Sequence, residues 1–239
     1  MLKKNTLINR LTTGWLSLMC IMGLLYGCQT PVYVAEAPSE LVNFKKILIL
    51  PFKDVTTLSG DTMDSRCPVC GRVFVTGEVA AGAADFLSDQ SIAWLKGHTD
   101  YQLAIERLTA RSLATLYSAN QATGAAKKAL VDKGRAHDAD VVLVGLVYRF
   151  RERVGKGYGA ESPASVAFGM HLIRVADGGT IWSAHFDETQ KSLGDDLFQL
   201  GTFISRGGRW ITAEELAMSG LEKILKKFPK SRSSYRRLI

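Results

Sequence analysis

Lys46-Ile47-Leu48-Ile49-Leu50-Pro51-Phe52 is the stretch that decides the fold. Its four aliphatic side chains in a row leave no polar face, so the run reads as a central strand covered on both sides. Pro51 ends it, because proline has no N–H to give a ladder. A second such run, Val141 to Val147, is entered through Asp138-Ala139-Asp140. Directly before it, Ala125 to Arg135 is rich in Ala and Lys and reads as a helix, with Gly134 near its end. A helix leading at once into an apolar strand is the mark of an α/β unit. Ala83 to Leu95 has helical spacing, with Ala83, Phe86, Leu87 and Leu95 facing inward, and residues 104 to 118 read as another helix.

Beyond the second run the pattern changes to period two. Val166, Phe168, Met170 and Leu172 alternate with small or polar residues, as do Trp182, Ala184 and Phe186. These are two half-buried strands joined by Asp177-Gly178-Gly179, a hairpin signal. The apolar side chains stand at even numbers in both, so only pairings with an even sum keep them together. A three-residue loop puts Met170 opposite Phe186 and His171 opposite His185. That leaves both histidines on the other, solvent-facing side. At the C-terminal end Thr212 and Glu215 form a capping-box pattern. Leu221, Ile224, Leu225 and Phe228 then share a helix face, and Pro229 stops it.

The first residues carry Lys3, Lys4 and Arg10, then an apolar stretch ending in Leu25-Tyr26-Gly27-Cys28. A charged start, an apolar segment and a small residue before the cut form a secretory signal. With a Cys directly after, the segment resembles a bacterial lipoprotein signal peptide. A membrane-spanning helix fits less well, since spanning takes about 20 apolar residues and Thr12, Thr13 and Gly14 interrupt the run. The resemblance implies a diacylglycerol and an acyl chain such as palmitate at Cys28. Because Gln29, not Asp, follows, it also implies the outer membrane, with the soluble part in the periplasm. Residues 1–27 would be the signal, 28–44 the lipidated Cys and a Pro- and Ala-containing tether, 45–229 a single α/β domain, and 230–239 a basic tail. Three of the charges behind the net +7 lie in the removed signal. The export signal and the lack of any binding motif argue against nucleic acid as a partner.

Lys46 to Phe52 resembles the opening strand of a group of bacterial envelope proteins. The group includes the curli-secretion channel lipoprotein, the lipoprotein activators of penicillin-binding proteins, and the amino-terminal domain of the Tol translocation protein. Ala139-Asp140-Val141-Val142-Leu143-Val144-Gly145 is similar to their second marker. Val166 to Val175, the Gly turn and Thr180-Ile181-Trp182 resemble the third. The resemblance implies an α/β domain with a mixed β-sheet and packed helices. It also implies a non-enzymatic role: binding an envelope protein in envelope or cell-wall assembly or, alternatively, forming a homo-oligomeric export channel. Two excursions, 54–82 and 193–209, depart from the pattern.

The first excursion contains Arg66-Cys67-Pro68-Val69-Cys70-Gly71. In an oxidising compartment, a structural disulfide between Cys67 and Cys70 is the leading expectation, with no cofactor. The alternative is half of a zinc site, which needs two further ligands. Among His98, His137, His171 and His185, only His171 and His185 have a spatial argument for supplying them. A redox pair or a thiol- or metal-dependent enzyme is a further alternative. Haem attachment fails because residue 71 is Gly. Gly155-Lys156-Gly157-Tyr158-Gly159 lacks a Walker spacing and reads as a glycine loop, with Lys156 and Tyr158 as a docking edge. Trp210 reads as a staple against the last helix or as an exposed partner contact. Ser162, His185 and Asp187 lack the surroundings of a hydrolytic triad.

Overall fold

A mixed sheet runs through the domain in the order β1-β11-β10-β7-β2-β6, with the short β3 also on β7. The computed structural model describes residues 32–36, 44–56, 64–106, 123–156, 159–190 and 210–229. The signal segment with Cys28, the 193–209 insertion, Tyr158 and the basic tail lie outside them. The strands are β1 (Val32–Glu36), β2 (Lys46–Ile49), β3 (Lys53–Asp54), β4 (Asp64–Arg66), β5 (Val73–Val75), β6 (Gln102–Ile105), β7 (Val141–Arg151), β8 (Val154–Lys156), β9 (Gly159–Ser162), β10 (Ser165–Arg174) and β11 (Thr180–Thr189). The helices are α1 (Ala83–His98), α2 (Thr123–Ala136) and α3 (Ala213–Leu225). β2 is parallel to both β6 and β7, while β7, β10, β11 and β1 are antiparallel in series.

The strand markers interlock. The Asp140 carboxylate accepts the backbone N–H groups of Lys45 and Lys46 at 2.7 and 2.9 Å, which fixes the entry of β2 beside β7. The Phe52 ring lies against Gly145, and its own N–H donates to Ser88 Oγ of α1 at 2.8 Å. Trp182 Nε1 donates to Lys227 O, tying β11 to the residues after α3.

Alternation along the strands makes two cores. On one face Ile47, Ile49, Leu143, Phe168, Met170, Trp182 and Phe186 pack beneath α1 and α3. On the other Leu48, Val142, Val144, Tyr148 and Ile173 pack beneath Leu130 and Val131 of α2, and beneath Cys67, Val69 and Phe74 of the first excursion. This three-layer build is the usual solution for a sheet apolar on both faces. The capping box forms as expected: Glu215 N donates to Thr212 Oγ1, and Thr212 N donates to Glu215 Oε2.

Several readings are corrected. Residues 102–105 form the edge strand β6, not part of a helix; residues 107–118 of that expected helix lie outside the description. Val32–Glu36 is no tether but the opposite edge strand, pairing Val32 with Phe186 and Glu36 with Trp182. The β10–β11 register keeps the even sum but is displaced by two: Met170 faces Ala184 and His171 faces Ser183. A bulge between Leu172 and Ile173 lets the turn take up the difference. Lys156 belongs to the β8–β9 ribbon, not to a loop, and is exposed. Ile211, buried, takes the staple position before the Thr212 cap, opposite buried Leu216, while Trp210 is half-buried.

Candidate functional site

The chemistry gathers where the first excursion meets the β10–β11 hairpin. β4 and β5 pair antiparallel around Cys67-Pro68-Val69-Cys70-Gly71. Gly71 adopts φ 76°, a left-handed conformation that glycine takes without a side-chain penalty. The turn closes through Gly71 N to Cys67 O at 2.9 Å and Cys67 N to Arg72 O at 2.7 Å. The N–H groups of Val69 and Cys70 both point at Cys67 Sγ, each at 3.4 Å. The turn is therefore a knuckle wrapped around one sulfur.

Phe74 fastens the knuckle to the sheet. Its ring stacks on Tyr148 of β7 at 3.9 Å and lies 5.0 Å from the His185 ring. Arg149 makes a second fastening, donating to Val75 O at 2.8 Å, to Ser165 Oγ at 2.6 Å and to Asp187. Asp187 is thus engaged by Arg149.

The knuckle covers the face that alternation left polar. His171 and His185 are 0 % and 4 % exposed, so the expectation that they face solvent is overturned. Although they are not directly opposite, the shifted register makes them diagonal neighbours, with ring centroids 5.1 Å apart. Gly169, the partner of His185 across the strands, leaves room for that ring; a Cβ there would sit 2.7 Å from His185 Nδ1. Cys67 Sγ lies 3.3 Å from His171 Nε2, and Cys70 Sγ lies 3.8 Å from His185 Nε2. Ser183 Oγ joins the two rings, 2.9 Å from His171 Nδ1 and 3.2 Å from His185 Nε2.

Cys67 is buried and Cys70 exposed, and both are free cysteines in the structure rather than joined. Burial alone would raise the Cys67 thiol. The hydrogen bond with Cys70, the charge and hydrogen bond of His171 and a hydrogen bond with Tyr148 outweigh it and draw Cys67 down to about 3. Cys70 is pushed up, first by its hydrogen bond to Cys67 and then by burial and the Cys67 charge. Burial, then the charge of His171, lowers His185 to about 3, which keeps its ring neutral. The result is a compact set of two sulfurs and two imidazoles.

The remaining imidazoles are elsewhere. His98 stacks on Trp94 at the end of α1, and His137 pairs with Glu106 at 3.1 Å. Sequence reasoning singled out these two histidines, and the structure places them together but buried rather than exposed. The excursion was visible in the sequence, but no local signal told that it folds back over them.

The fold and site together define an α/β domain with a mixed sheet, helices on both faces and a Cys-x-x-Cys knuckle clasped to the central hairpin. No family model matches the chain, and no curated protein matches it in sequence. Among solved structures it is similar to the PelC dodecamer from Paraburkholderia phytofirmans, at 15 % identity and TM-score 0.48, covering 84 % of this chain and 98 % of that one. It is similar to lipoprotein GNA1162 from Neisseria meningitidis at 15 % identity and TM-score 0.34, covering 67 % and 91 %. It is also similar to the LpoB C-terminal domain from Salmonella enterica at 15 % identity and TM-score 0.32, covering 63 % and 87 %.

Proposed function

We propose that this chain is a lipid-anchored protein of the bacterial outer membrane, whose periplasmic domain works by binding another envelope protein rather than by catalysis. The observation that carries the reading is Leu25-Tyr26-Gly27-Cys28 at the end of the charged and apolar start. Several acyl chains together hold a protein durably where one gives only marginal binding. Val32, the first residue of β1, follows Cys28 by four residues, a span of at most about 14 Å. Among the described residues no helix is long and apolar enough to cross a membrane. Exposed Lys156 and half-buried Trp210 are candidate partner contacts, together with Tyr158.

PelC is described as a dodecamer, and assembly of this chain into a homo-oligomeric export channel is the second outcome to test. Metabolic palmitate labelling should mark the native chain and not Cys28→Ala, which should leave the membrane fraction. Crosslinking in intact cells should then capture one dominant envelope partner. Rings of the chain alone would favour the export reading. An unlabelled native chain, or only scattered neighbours and no envelope defect on deletion, would overturn the proposal.

A further inference from the structure

We propose that Cys67, Cys70, His171 and His185 ligate a structural zinc ion that clasps the first excursion to the central sheet. The inference is independent of the partner-binding reading. It rests first on the donor set, because two thiolates with two imidazoles are a standard closed ligand set for this metal. It rests next on distance. Zinc–sulfur and zinc–nitrogen bonds of about 2.3 and 2.0–2.1 Å, set at tetrahedral angles, require ligand atoms roughly 3.3 to 3.8 Å apart. The Cys67–His171 and Cys70–His185 pairs stand at 3.3 and 3.8 Å. The donor atoms of Cys67, Cys70 and His171 all lie within 4.8 Å of one another. His185 stands outside that set, so its ring must move in from Cys70 toward the other donors to complete the tetrahedron.

The surroundings are arranged for the same end. His171 Nδ1 is held by Ser183 Oγ, which turns Nε2 toward the sulfurs, the outer-shell arrangement that orients metal-bound histidine. The backbone N–H groups of Val69 and Cys70 converge on Cys67 Sγ and offset sulfur charge. His185 Nε2 would exchange its contact with Ser183 Oγ for the metal. With all four positions taken by protein atoms no place is left for a reactive water, so the site is structural rather than hydrolytic. The ligands lie 104 and 115 residues apart across the two contacts, so one ion pins a long excursion to the hairpin. A disulfide would compete, since it consumes both sulfurs.

The test uses the full chain purified from membranes in mild detergent, without chelator and under a thiol-protecting reductant. Metal analysis with thiol titration should find about one zinc per chain and two protected thiols. Cobalt exchange should give the intense visible bands of a tetrahedral sulfur–nitrogen site. Cys67→Ser with Cys70→Ser should abolish both signals. His171→Ala and His185→Ala should each weaken zinc binding at least tenfold, while far-UV circular dichroism confirms that they fold. Ser183→Ala should keep the stoichiometry and weaken affinity roughly 10- to 100-fold through loss of ring orientation. Chelation should expose residues 64–75 to protease while α1 and α3 stay protected. A metal-free chain that does not take up added zinc with its thiols reduced would overturn the proposal. So would an octahedral cobalt spectrum, zinc retained by the double Cys variant, or a chain isolated from untreated cells with a Cys67–Cys70 disulfide.

Discussion

The two faces of the β10–β11 hairpin are built from alternate residues of the same strands, yet they are buried by opposite means. On the helix side Phe168, Met170, Trp182 and Phe186 meet the apolar stripe of α3, and exclusion of water holds the layers together. On the knuckle side His171 and His185 meet Cys67, Cys70 and Phe74 through directed contacts, with Ser183 joining the two rings and Gly169 leaving room for one of them. Burying polar groups is costly unless each finds a partner. The comparison teaches that a polar strand face need not be a wet one. It can be a buried face whose cover arrives from far along the chain.

Each face can be challenged in turn. Trp182→Ala should have the largest effect, about 3 to 5 kcal/mol of stability by urea unfolding, because it empties the centre of the helix-side core. Loss below about 1 kcal/mol would mean that face is not the main source of stability. Next come two glycines, one on each side. A Cβ on Gly220 of α3 would stand 2.5 Å from the Phe186 ring. Alanine there gains about 1 kcal/mol of helix propensity at most, whereas overpacking costs about 1 to 3 kcal/mol. Gly220→Ala should therefore lower the unfolding midpoint and leave zinc uptake unchanged. Gly169→Ala pushes on His185 instead. It should cut zinc affinity at least tenfold, measured by competition with a chromophoric chelator. If both substitutions acted alike on metal, the distinction between the faces would fail.

Thr212→Ala removes the α3 cap and should cost about 1 kcal/mol, read by thermal unfolding, again without touching the metal. The smallest effect belongs to Asp187→Asn. It removes one partner of the largely buried Arg149, but Asp187 itself is half-exposed, so the loss should stay below about 1 kcal/mol. Arg149 keeps Val75 O and Ser165 Oγ, so the excursion should remain docked in hydrogen exchange.

Much of the fold was legible where local pattern and burial agree. The aliphatic runs at 47–50 and 141–147, the even-numbered apolar hairpin and the Thr212 box each carry their own instruction. The parts that escaped depend on distant partners. Gln102–Ile105 is a four-residue edge strand whose only ladder in the described sheet is with β2, and its Ile105 fits a helical spacing equally well. The hairpin register could be narrowed to parity, but the bulge at Leu172 and Ile173 carries no residue signal such as glycine. For the site, the two cysteines and the two histidines that the structure brings together were visible in the sequence. The burial of the histidines was not, because it follows from the excursion folding across more than a hundred residues of intervening chain.

The pairing of β1 with β11 has a further consequence in time. Val32–Glu36 is made early, but the strand that completes it ends at Thr189. Contacts this far apart in sequence form late, since a long loop must close before they add stability. Val32–Glu36 therefore has no ladder partner until the final hairpin has been made. Arrival of that hairpin then draws the earliest-made strand of the sheet into its edge.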